Sequence, residues 1–349
     1  MVDVRKLKGS REVFVAREEG YFPVLVNSGE RIFAVIRAGA GHVGITGRLD
    51  LVVSDGGGLT WSKPSVIADS EWDDRNPAFG LTGSGILVLA YHRQGSYDSN
   101  GIFAPYLDLV EMMVTRSTDS GKTWEKPRRM NLTPLLKHSP YGRILALPDG
   151  MLLMPVYGKN SGKLSCEKAC PEVCLSYVVR SRDDGMTWED PSVIGANINE
   201  AALAFLPNEE LLAVVRTEGD AHLVALRSKD LGYTWSDPVA ITKAGEHPAD
   251  LTLLSNDLIL LVYGHRLQPF GVRGKISRDM GKTWEEEIVF ADDRPSPDCG
   301  YPSTVRLPSG KMITAYYSAG DHKDYYRGEG SFCKAVVYDE KELIWALGG

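Results

Sequence analysis

An eight-residue pattern, S-x-D-x-G-x-T-W, recurs along this chain and constrains its fold more than any other feature. The four complete copies are residues 117–124, 181–188, 228–235 and 277–284. A fifth copy, residues 54–61, carries Gly56 in place of the aspartate. The aspartate can accept hydrogen bonds from turn amides, the glycine permits a positive φ, and the tryptophan packs on apolar surface beside the turn. Each copy, called a box below, therefore predicts one tight structural turn.

The boxes are spaced as one per repeat unit. The steps from tryptophan to tryptophan are 63, 64, 47 and 49 residues, which is the scale of a propeller blade with loops of variable length. Apolar strands and turns precede each box, as in residues 142–147, the turn at 148–150, and residues 151–157. This order of strands and turns predicts antiparallel blades, with each box between the two outer strands of its blade.

A sixth unit without a box follows Trp284. Its predicted strands are residues 301–305, 311–317 and 332–338, and Trp345 is expected to supply its tryptophan. Residues 11–16 can provide the outer strand of this blade, closing the ring and removing free sheet edges. We therefore predict an all-β fold, a six-bladed β-propeller with four-stranded antiparallel blades, as a single domain over residues 1–349.

Composition disfavours several classes of function. A net charge of −7 and an isoelectric point near 5.6 argue against nucleic-acid binding. The chain has no apolar run long enough for a membrane span, and residues 1–10 lack a signal-peptide core. A cytoplasmic location is therefore favoured, or secretion if a leader has been removed. No cofactor or metal is expected, because the spacing of Cys166, Cys170 and Cys174 fits no recognised zinc or iron–sulfur pattern.

In a propeller, the loops that enter the first strand and leave the second strand of each blade converge at one mouth. Polar residues at those places are rich in histidine and arginine, and six of the seven histidines lie there. From blade one to blade six, these candidates are Arg37 and His42; Asp73, Asp74, Arg75, His92 and Arg93; His138, Tyr141 and Arg143; Asn199, Glu200, Arg216 and Glu218; His247, Asp250, His265, Arg266 and Arg273; and Asp298, Tyr301, Asp321 and His322.

The chain resembles the sialidase (neuraminidase) superfamily, whose commonest sequence mark is this box, the Asp box. Boxes also occur in other glycosidases, polysaccharide lyases and non-enzymatic propellers, so the sharper matches are Glu200 ahead of residues 211–216 and Tyr301 ahead of residues 305–310. The resemblance implies that Tyr301 is a nucleophile and that Glu200 is its base. It also implies that the carboxylate of an acidic sugar is bound by Arg216 together with Arg266 or Arg273.

Blade one departs from the family pattern. The family opens this blade with an Arg-Ile-Pro-type motif, whereas residues 21–24 read Tyr-Phe-Pro-Val, and the loop at 37–47 lacks the expected acidic aspartate. We hypothesise that Arg37 replaces the missing arginine and that His42 or Asp50 acts as the acid. The other predicted substrate-binding residues are Asp74, Arg75, His92, Arg93 and Tyr141.

Three functions remain open from the sequence, each with a glycan as the partner. The first is a sialidase-like exo-glycosidase that hydrolyses a terminal acidic sugar, sialic acid or a related nonulosonic acid. The second is a propeller polysaccharide lyase that acts on uronate-containing glycans through tyrosine, histidine and arginine. Its candidate residues are His138, Tyr141, Arg143 and the Tyr-His-Arg segment at 91–93. The third is a non-catalytic glycan-binding propeller.

Overall fold

The structure is a computed structural model that describes residues 1–132, 135, 137–159, 173–320 and 330–348. The N-terminal segment forms β1 (Val2–Asp3) and β2 (Arg11–Arg17). Blade one contains β3 (Tyr21–Ser28), β4 (Arg31–Ala38), β5 (Arg48–Ser54) and β6 (Ser65–Ala68). Blade two contains β7 (Asp73–Leu81), β8 (Leu87–Gln94), β9 (Val110–Ser117) and β10 (Arg128–Arg129).

Blade three begins with the short strands β11 (Ser139–Pro140), β12 (Gly142–Arg143) and β13 (Leu145–Ala146), followed by β14 (Leu152–Lys159), β15 (Cys174–Ser181) and β16 (Glu189–Ala196). Blade four contains β17 (Ile198–Phe205), β18 (Leu211–Thr217), β19 (Leu223–Ser228) and β20 (Val239–Ala240). Blade five contains β21 (Glu246–Leu253), β22 (Ile259–His265), β23 (Gly271–Ser277) and β24 (Glu285–Ala291). Blade six contains β25 (Cys299–Arg306), β26 (Lys311–Ser318) and β27 (Phe332–Asp339), and α1 (Glu340–Ala346) follows it.

The six sheets form a closed ring, which confirms the predicted six-bladed propeller. The N-terminal strand β2 pairs antiparallel with β27 as the outer strand of blade six, as expected from residues 11–16. Six apolar cores each join two neighbouring blades, and the core between blades six and one contains Leu25, Val305 and Val337. Burial of apolar side chains between blades therefore holds the ring together.

The complete boxes connect the third and fourth strands of their blades. In the box of blade three, Asp183 accepts hydrogen bonds from the backbone N and Oγ1 of Thr187 at 2.8 and 2.6 Å. The same two bonds recur in the boxes of Asp119, Asp230 and Asp279. Trp188 is buried, and the other three box tryptophans are partly buried in the same inter-blade cores. The boxes are thus structural turns, as predicted.

A box glycine is required for two reasons. Gly185 has a φ of +77°, which costs glycine little. A Cβ at this position would also lie 2.6 Å from Cγ1 of Val88 in blade two. The box turn of one blade therefore packs directly on the preceding blade.

Two local predictions were wrong. Residues 142–147 do not form one strand, because β12 leaves blade three and pairs parallel with β7 of blade two, while β13 pairs with β14. Trp345 lies on α1 and is 75% exposed, and Leu343 of the same helix is buried instead. Among the described residues, no helix is long and apolar enough to cross a membrane.

Candidate active site

An extra residue interrupts the first strand of five blades, near the end where the strand enters its sheet. In blade six, Gly300 pairs with Tyr317, and the next paired residues are Ser303 and Ala315. Two residues of β25 therefore lie opposite a single residue of β26. Tyr301 lies inside this bulge with a φ of +45°. Bulges re-aim side chains and are common beside active sites. The bulges thus carry Tyr301 and Glu200 out of the regular alternation of their strands.

Glu200 and Tyr301 form the centre of the candidate site. The Tyr301 hydroxyl donates a short hydrogen bond to Oε1 of Glu200. The other carboxylate oxygen, Oε2, accepts a hydrogen bond of 3.0 Å from Nη1 of Arg216. Glu200 is only 3% exposed. Because these residues come from blades four and six, which are not neighbours in the ring, the pair exists only when the propeller is closed.

Three guanidinium groups surround this pair. Cζ of Arg266 lies 5.7 Å from the centre of the Tyr301 ring. Cζ of Arg75 lies 5.9 Å from the centre of the Phe22 ring, and that ring lies 4.8 Å from the Tyr301 ring. With Arg216, these arginines present the forked donors that bind carboxylates in bidentate fashion.

Several donors of these arginines have no protein partner. Nε and Nη2 of Arg266 and Nε of Arg216 are buried, and none has a hydrogen-bond acceptor within the described part of the chain. Buried polar groups in native proteins are nearly always paired, and unpaired ones call for an explanation. These donors are therefore available to an acceptor that is not part of the described chain.

The environment of Tyr301 sets its protonation state. Burial raises the pKa of Tyr301 well above its usual value of 10, and the negative charge of Glu200 raises it further. The phenol therefore keeps its proton in the unliganded protein. It becomes a strong nucleophile only if a base removes that proton, and Glu200 already accepts it in a hydrogen bond.

Packed aromatic rings connect Tyr301 to a second polar cluster, formed by His42, Asp298 and Tyr317. The ring of Phe22 lies 5.1 Å from the imidazole of His42 and 5.3 Å from the ring of Tyr317. His42 Nδ1 lies 2.9 Å from Oδ1 of Asp298, and the Tyr317 hydroxyl donates to the same oxygen at 2.5 Å. The carboxylate thus orients both the imidazole and the phenol.

Six residues predicted for the site are bonded to protein groups instead of to the pair. Arg37 is fully buried in a 2.7 Å ion pair with Asp73. Asp50 binds Arg48 on the third strand of blade one at 3.0 Å. The remaining four and their partners are Asp74 with Ser70, His92 with Ser139, Arg93 with Glu111, and Arg273 with Glu287.

The residues considered for lyase chemistry are held in similar ways. Arg143 reaches across the axis to Asp250 at 2.7 Å and to the carbonyl of Thr304 at 2.9 Å. The Tyr141 hydroxyl donates to the carbonyl of Ala249 at 2.9 Å, although its ring lies 6.0 Å from that of Tyr301. His138 is buried, and burial lowers its pKa to about 4. Tyr141 and Arg143 nevertheless line the same cavity as Phe22 and Tyr301.

Sequence reasoning placed some residues and missed others. Asp298 was a candidate of blade six without a role. Tyr317 was not a candidate at all, although it is the residue before the last of the second strand of that blade, near where site residues were expected. Four residues considered from the sequence lie outside the described residues: Cys166, Cys170, Asp321 and His322. Cys174 begins β15.

Comparison with known proteins identifies the family to which this chain belongs. A model of the BNR repeat-like domain matches residues 27–313. A sialidase of Bacteroides fragilis is 25% identical over 305 residues, covering 80% of this chain and 52% of that protein, so the chain spans about half of the relative's length.

Solved structures show the same fold. A protein of unknown function from Dyadobacter fermentans superposes with a TM-score of 0.80 at 22% identity, covering 95% of this chain and all of that one. Trypanosoma rangeli sialidase, solved as a covalent intermediate with 2,3-difluorosialic acid, gives a TM-score of 0.68 at 14% identity, over 97% of this chain and 60% of that one. The chain therefore belongs to the BNR repeat-like domain family, within the sialidase superfamily of propellers.

Proposed function

We propose that this protein is a retaining exo-glycosidase that releases a terminal acidic sugar, sialic acid or a related nonulosonic acid, from a glycan. The observation that carries the proposal is the hydrogen bond from the Tyr301 hydroxyl to Glu200, with Arg216 on the other oxygen of that carboxylate. Tyrosine nucleophiles are characteristic of sialidases, in contrast to the paired carboxylates of most glycosidases.

The substrate class follows from the charge of the site. Nonulosonic acids carry a carboxylate on the anomeric carbon, and Arg216, Arg266 and Arg75 can bind it from several sides. Arg75 takes the place that Arg37 was expected to fill, because Arg37 is committed to Asp73 while Arg75 extends over Phe22 toward Tyr301. Phe22 itself lies in the bulge of blade one, within the Tyr-Phe-Pro-Val stretch that corresponds to the family's Arg-Ile-Pro-type motif.

The chemistry proceeds in two steps. Glu200 removes the phenolic proton, the Tyr301 oxygen attacks the anomeric carbon, and the glycosidic bond breaks. Water then attacks the same carbon, the bond to Tyr301 breaks, and the phenol regains its proton from Glu200. Because the proton leaves as the new carbon–oxygen bond forms, little negative charge builds up on the phenol, and the sugar carboxylate repels it less than it would repel a carboxylate nucleophile.

A slowly hydrolysed 2,3-difluoro acidic sugar tests the nucleophile. The wild-type protein should gain the mass of one glycosyl group, and peptide mapping should place it on Tyr301. Tyr301→Phe should remain unlabelled and lose turnover of an activated aryl glycoside by several orders of magnitude. Tyr233→Phe is the matched control, because Tyr233 also donates to a carboxylate, Asp190, but on the exposed outer surface.

Labelling of another residue, or wild-type turnover by Tyr301→Phe, would refute the proposed mechanism. A wild-type protein that turns over no glycoside in a panel of sialosides, other nonulosonic acid glycosides and uronate glycans would refute the enzyme proposal. In that case, retained binding of an acidic sugar without turnover would identify a glycan-binding propeller.

Arg216→Lys tests the acidic substrate. Lysine keeps the charge but loses the fork, so the dissociation constant of a carboxylate-bearing sugar analogue should rise about 10- to 150-fold, the range for a charge-assisted hydrogen bond. Arg227→Lys is the control, since Arg227 pairs with Glu210 beside the box of blade four. Unchanged affinity in Arg216→Lys would show that the carboxylate is bound elsewhere.

A further inference from the structure

The proposed glycosidase needs a group that protonates the departing oxygen, and blade one has no carboxylate in the loop where the family pattern places it. The loop between β4 and β5 carries His42 instead. The other acid considered, Asp50, binds Arg48 through both carboxylate oxygens, at 3.0 and 3.1 Å. Asp50 is therefore engaged by an arginine on its own strand.

We infer that His42, held by Asp298, is the general acid and base of this site, an inference that rests on the proposed glycosidase function. Asp298 comes from the start of blade six and meets the imidazole across the junction of blades six and one. Since the Asp298 carboxylate can only accept, the proton at Nδ1 of His42 points to it, and proton exchange with substrate takes place at Nε2. Asp298 thus acts as a positioning residue.

The position of His42 relative to the nucleophile supports this assignment. The rings of His42 and Tyr301 both pack on Phe22, with centre-to-centre distances of 5.1 and 4.8 Å. His42 therefore lies on the same mouth as Tyr301 but on the other side of an apolar spacer. A sugar placed over the Phe22 ring can therefore contact the phenol of Tyr301 at one end and the imidazole of His42 at the other.

The proton balance of both steps is complete with this residue. In the first step, protonated His42 gives its Nε2 proton to the glycosidic oxygen while the Tyr301 oxygen bonds to the anomeric carbon. In the second step, neutral His42 takes a proton from the attacking water while the bond to Tyr301 breaks. Water is the only co-reactant, and both His42 and Tyr301 return to their starting states.

The charges that face His42 make its protonation depend on the substrate. Burial lowers the pKa of His42 below 6.5, and the positive charges of Arg75 and Arg266 lower it further. The negative charge of Asp298 raises this pKa but does not cancel the lowering. The packed phenols of Tyr21 and Tyr317 are neutral, since burial raises the pKa of each. A bound carboxylate offsets the two arginines, so His42 gains its proton more readily once an acidic sugar is in place.

Leaving-group dependence tests His42 directly. In His42→Asn, kcat/KM for a glycoside with a sugar or alkyl leaving group should fall about 10²- to 10⁴-fold, the usual contribution of general acid catalysis. A dinitrophenyl glycoside, which leaves without protonation, should lose less than about tenfold. Azide, which attacks without a base, should raise kcat of the variant on that substrate and yield the glycosyl azide.

A matched control is available in blade four. Nδ1 of His222 lies 2.8 Å from Oδ1 of Asp220 in the loop between β18 and β19, so His222→Asn removes the same kind of pair. It should behave as wild type with both leaving groups. Thermal unfolding of each variant shows whether it is folded, and His42→Gln provides a second variant if the first is not.

Asp298→Asn separates positioning from a purely structural role. The active form of His42 is protonated, so kcat/KM falls as pH rises through its pKa. Loss of the Asp298 charge lowers that pKa further, so the falling limb should move to lower pH in the variant. A structural role would lower the whole profile without moving the limb.

The inference fails independently of the enzyme proposal. If the wild-type protein hydrolyses acidic glycosides but His42→Asn loses equal activity on both leaving groups and shows no azide rescue, His42 is not the acid. If the wild-type protein hydrolyses neither, the glycosidase proposal itself has failed.

Discussion

Arg37 and Arg75 come from neighbouring blades and meet the same carboxylate, that of Asp73, but their surroundings differ. Arg37 is fully buried, and its Nε and Nη2 lie 3.1 and 2.7 Å from Oδ1 of Asp73. Arg75 is farther from Asp73, at 3.5 Å, and its guanidinium extends over Phe22. We therefore expect Arg37 to act on stability and Arg75 on ligand binding.

Substitution of Arg37 tests this division. Arg37→Met leaves the Asp73 carboxylate buried beside an apolar side chain, so the free energy of unfolding should fall by about 3–5 kcal/mol. The double variant Arg37→Met/Asp73→Asn should recover part of that loss, because it removes the buried charge that has lost its nearer arginine. Urea denaturation measures both.

A surface pair provides the comparison. Arg31 and Asp55 lie 3.2 Å apart with side chains 40% and 72% exposed, so Arg31→Met should cost no more than about 1 kcal/mol. Equal effects at Arg37 and Arg31, or a large loss of ligand affinity with unchanged stability in Arg37→Met, would favour the earlier hypothesis that Arg37 binds the substrate.

The central residues could be predicted from sequence because they lie in short motifs at fixed places in the blades. Glu200, Arg216 and Tyr301 are of this kind, and the structure places them in contact. The ion-pair partner of an arginine could not be predicted. Arg37 near the end of β4 and Arg75 near the start of β7 occupy similar places in their blades, and only the folded structure shows that Arg37 is the one paired closely with Asp73. Their catalytic and binding roles stay predictions.

At the scale of elements, the bulges in the first strands of the blades were not predicted from the sequence. The alternation of apolar residues predicts a strand but does not show that one extra residue is inserted. Phe22 and Tyr301 both precede a proline and both have positive φ, at +52° and +45°, so an X-Pro pair near a strand entrance was the available signal. Blade three lacked a comparable signal for the split between β12 and β13.

The incomplete box of blade one offers a test of the box itself. Gly56 replaces the aspartate, and a Cβ there would lie 2.6 Å from Oγ1 of Thr60, a side chain that can rotate and donate to a new carboxylate. Gly56→Asp should raise the free energy of unfolding by about 0.5–1.5 kcal/mol, the usual net gain for a hydrogen bond. Chemical denaturation measures the change.

Gly83→Asp is the control for that variant, since a Cβ at Gly83 meets no atom within 4 Å. Hydrogen bonds from Thr123 lower the pKa of Asp119 from 3.8 to about 2, so a completed box contributes above pH 3.8 and loses its effect as pH falls toward 2. A gain that persists at pH 2, or that Gly83→Asp reproduces, would show that the box bonds are not its cause.

At the scale of the whole molecule, the ring is closed by β2, an N-terminal strand that completes the blade formed by the C-terminal part of the chain. The strand β2 pairs with β27 along Arg11–Arg17, and Val15 and Ala16 of β2 are buried in the core between blades six and one. The repeat pattern predicted both the number of blades and this closure, because a ring of blades needs one strand from the other end of the chain. Glu200 and Tyr301 meet only within that ring.

Removal of residues 1–17 tests the closure. The variant loses β2, so the backbone of β27 becomes an unpaired edge, which is a template for association with another chain. We expect a lower unfolding midpoint together with concentration-dependent association in sedimentation. Removal of residues 1–9 is the control: it deletes the buried Val4 and lowers stability but leaves β2 in place. Both deletions remove β1 and so uncover the edge of β24, but only the longer deletion also uncovers β27. Association of both variants to the same extent would therefore show that β2 does not protect the sheet.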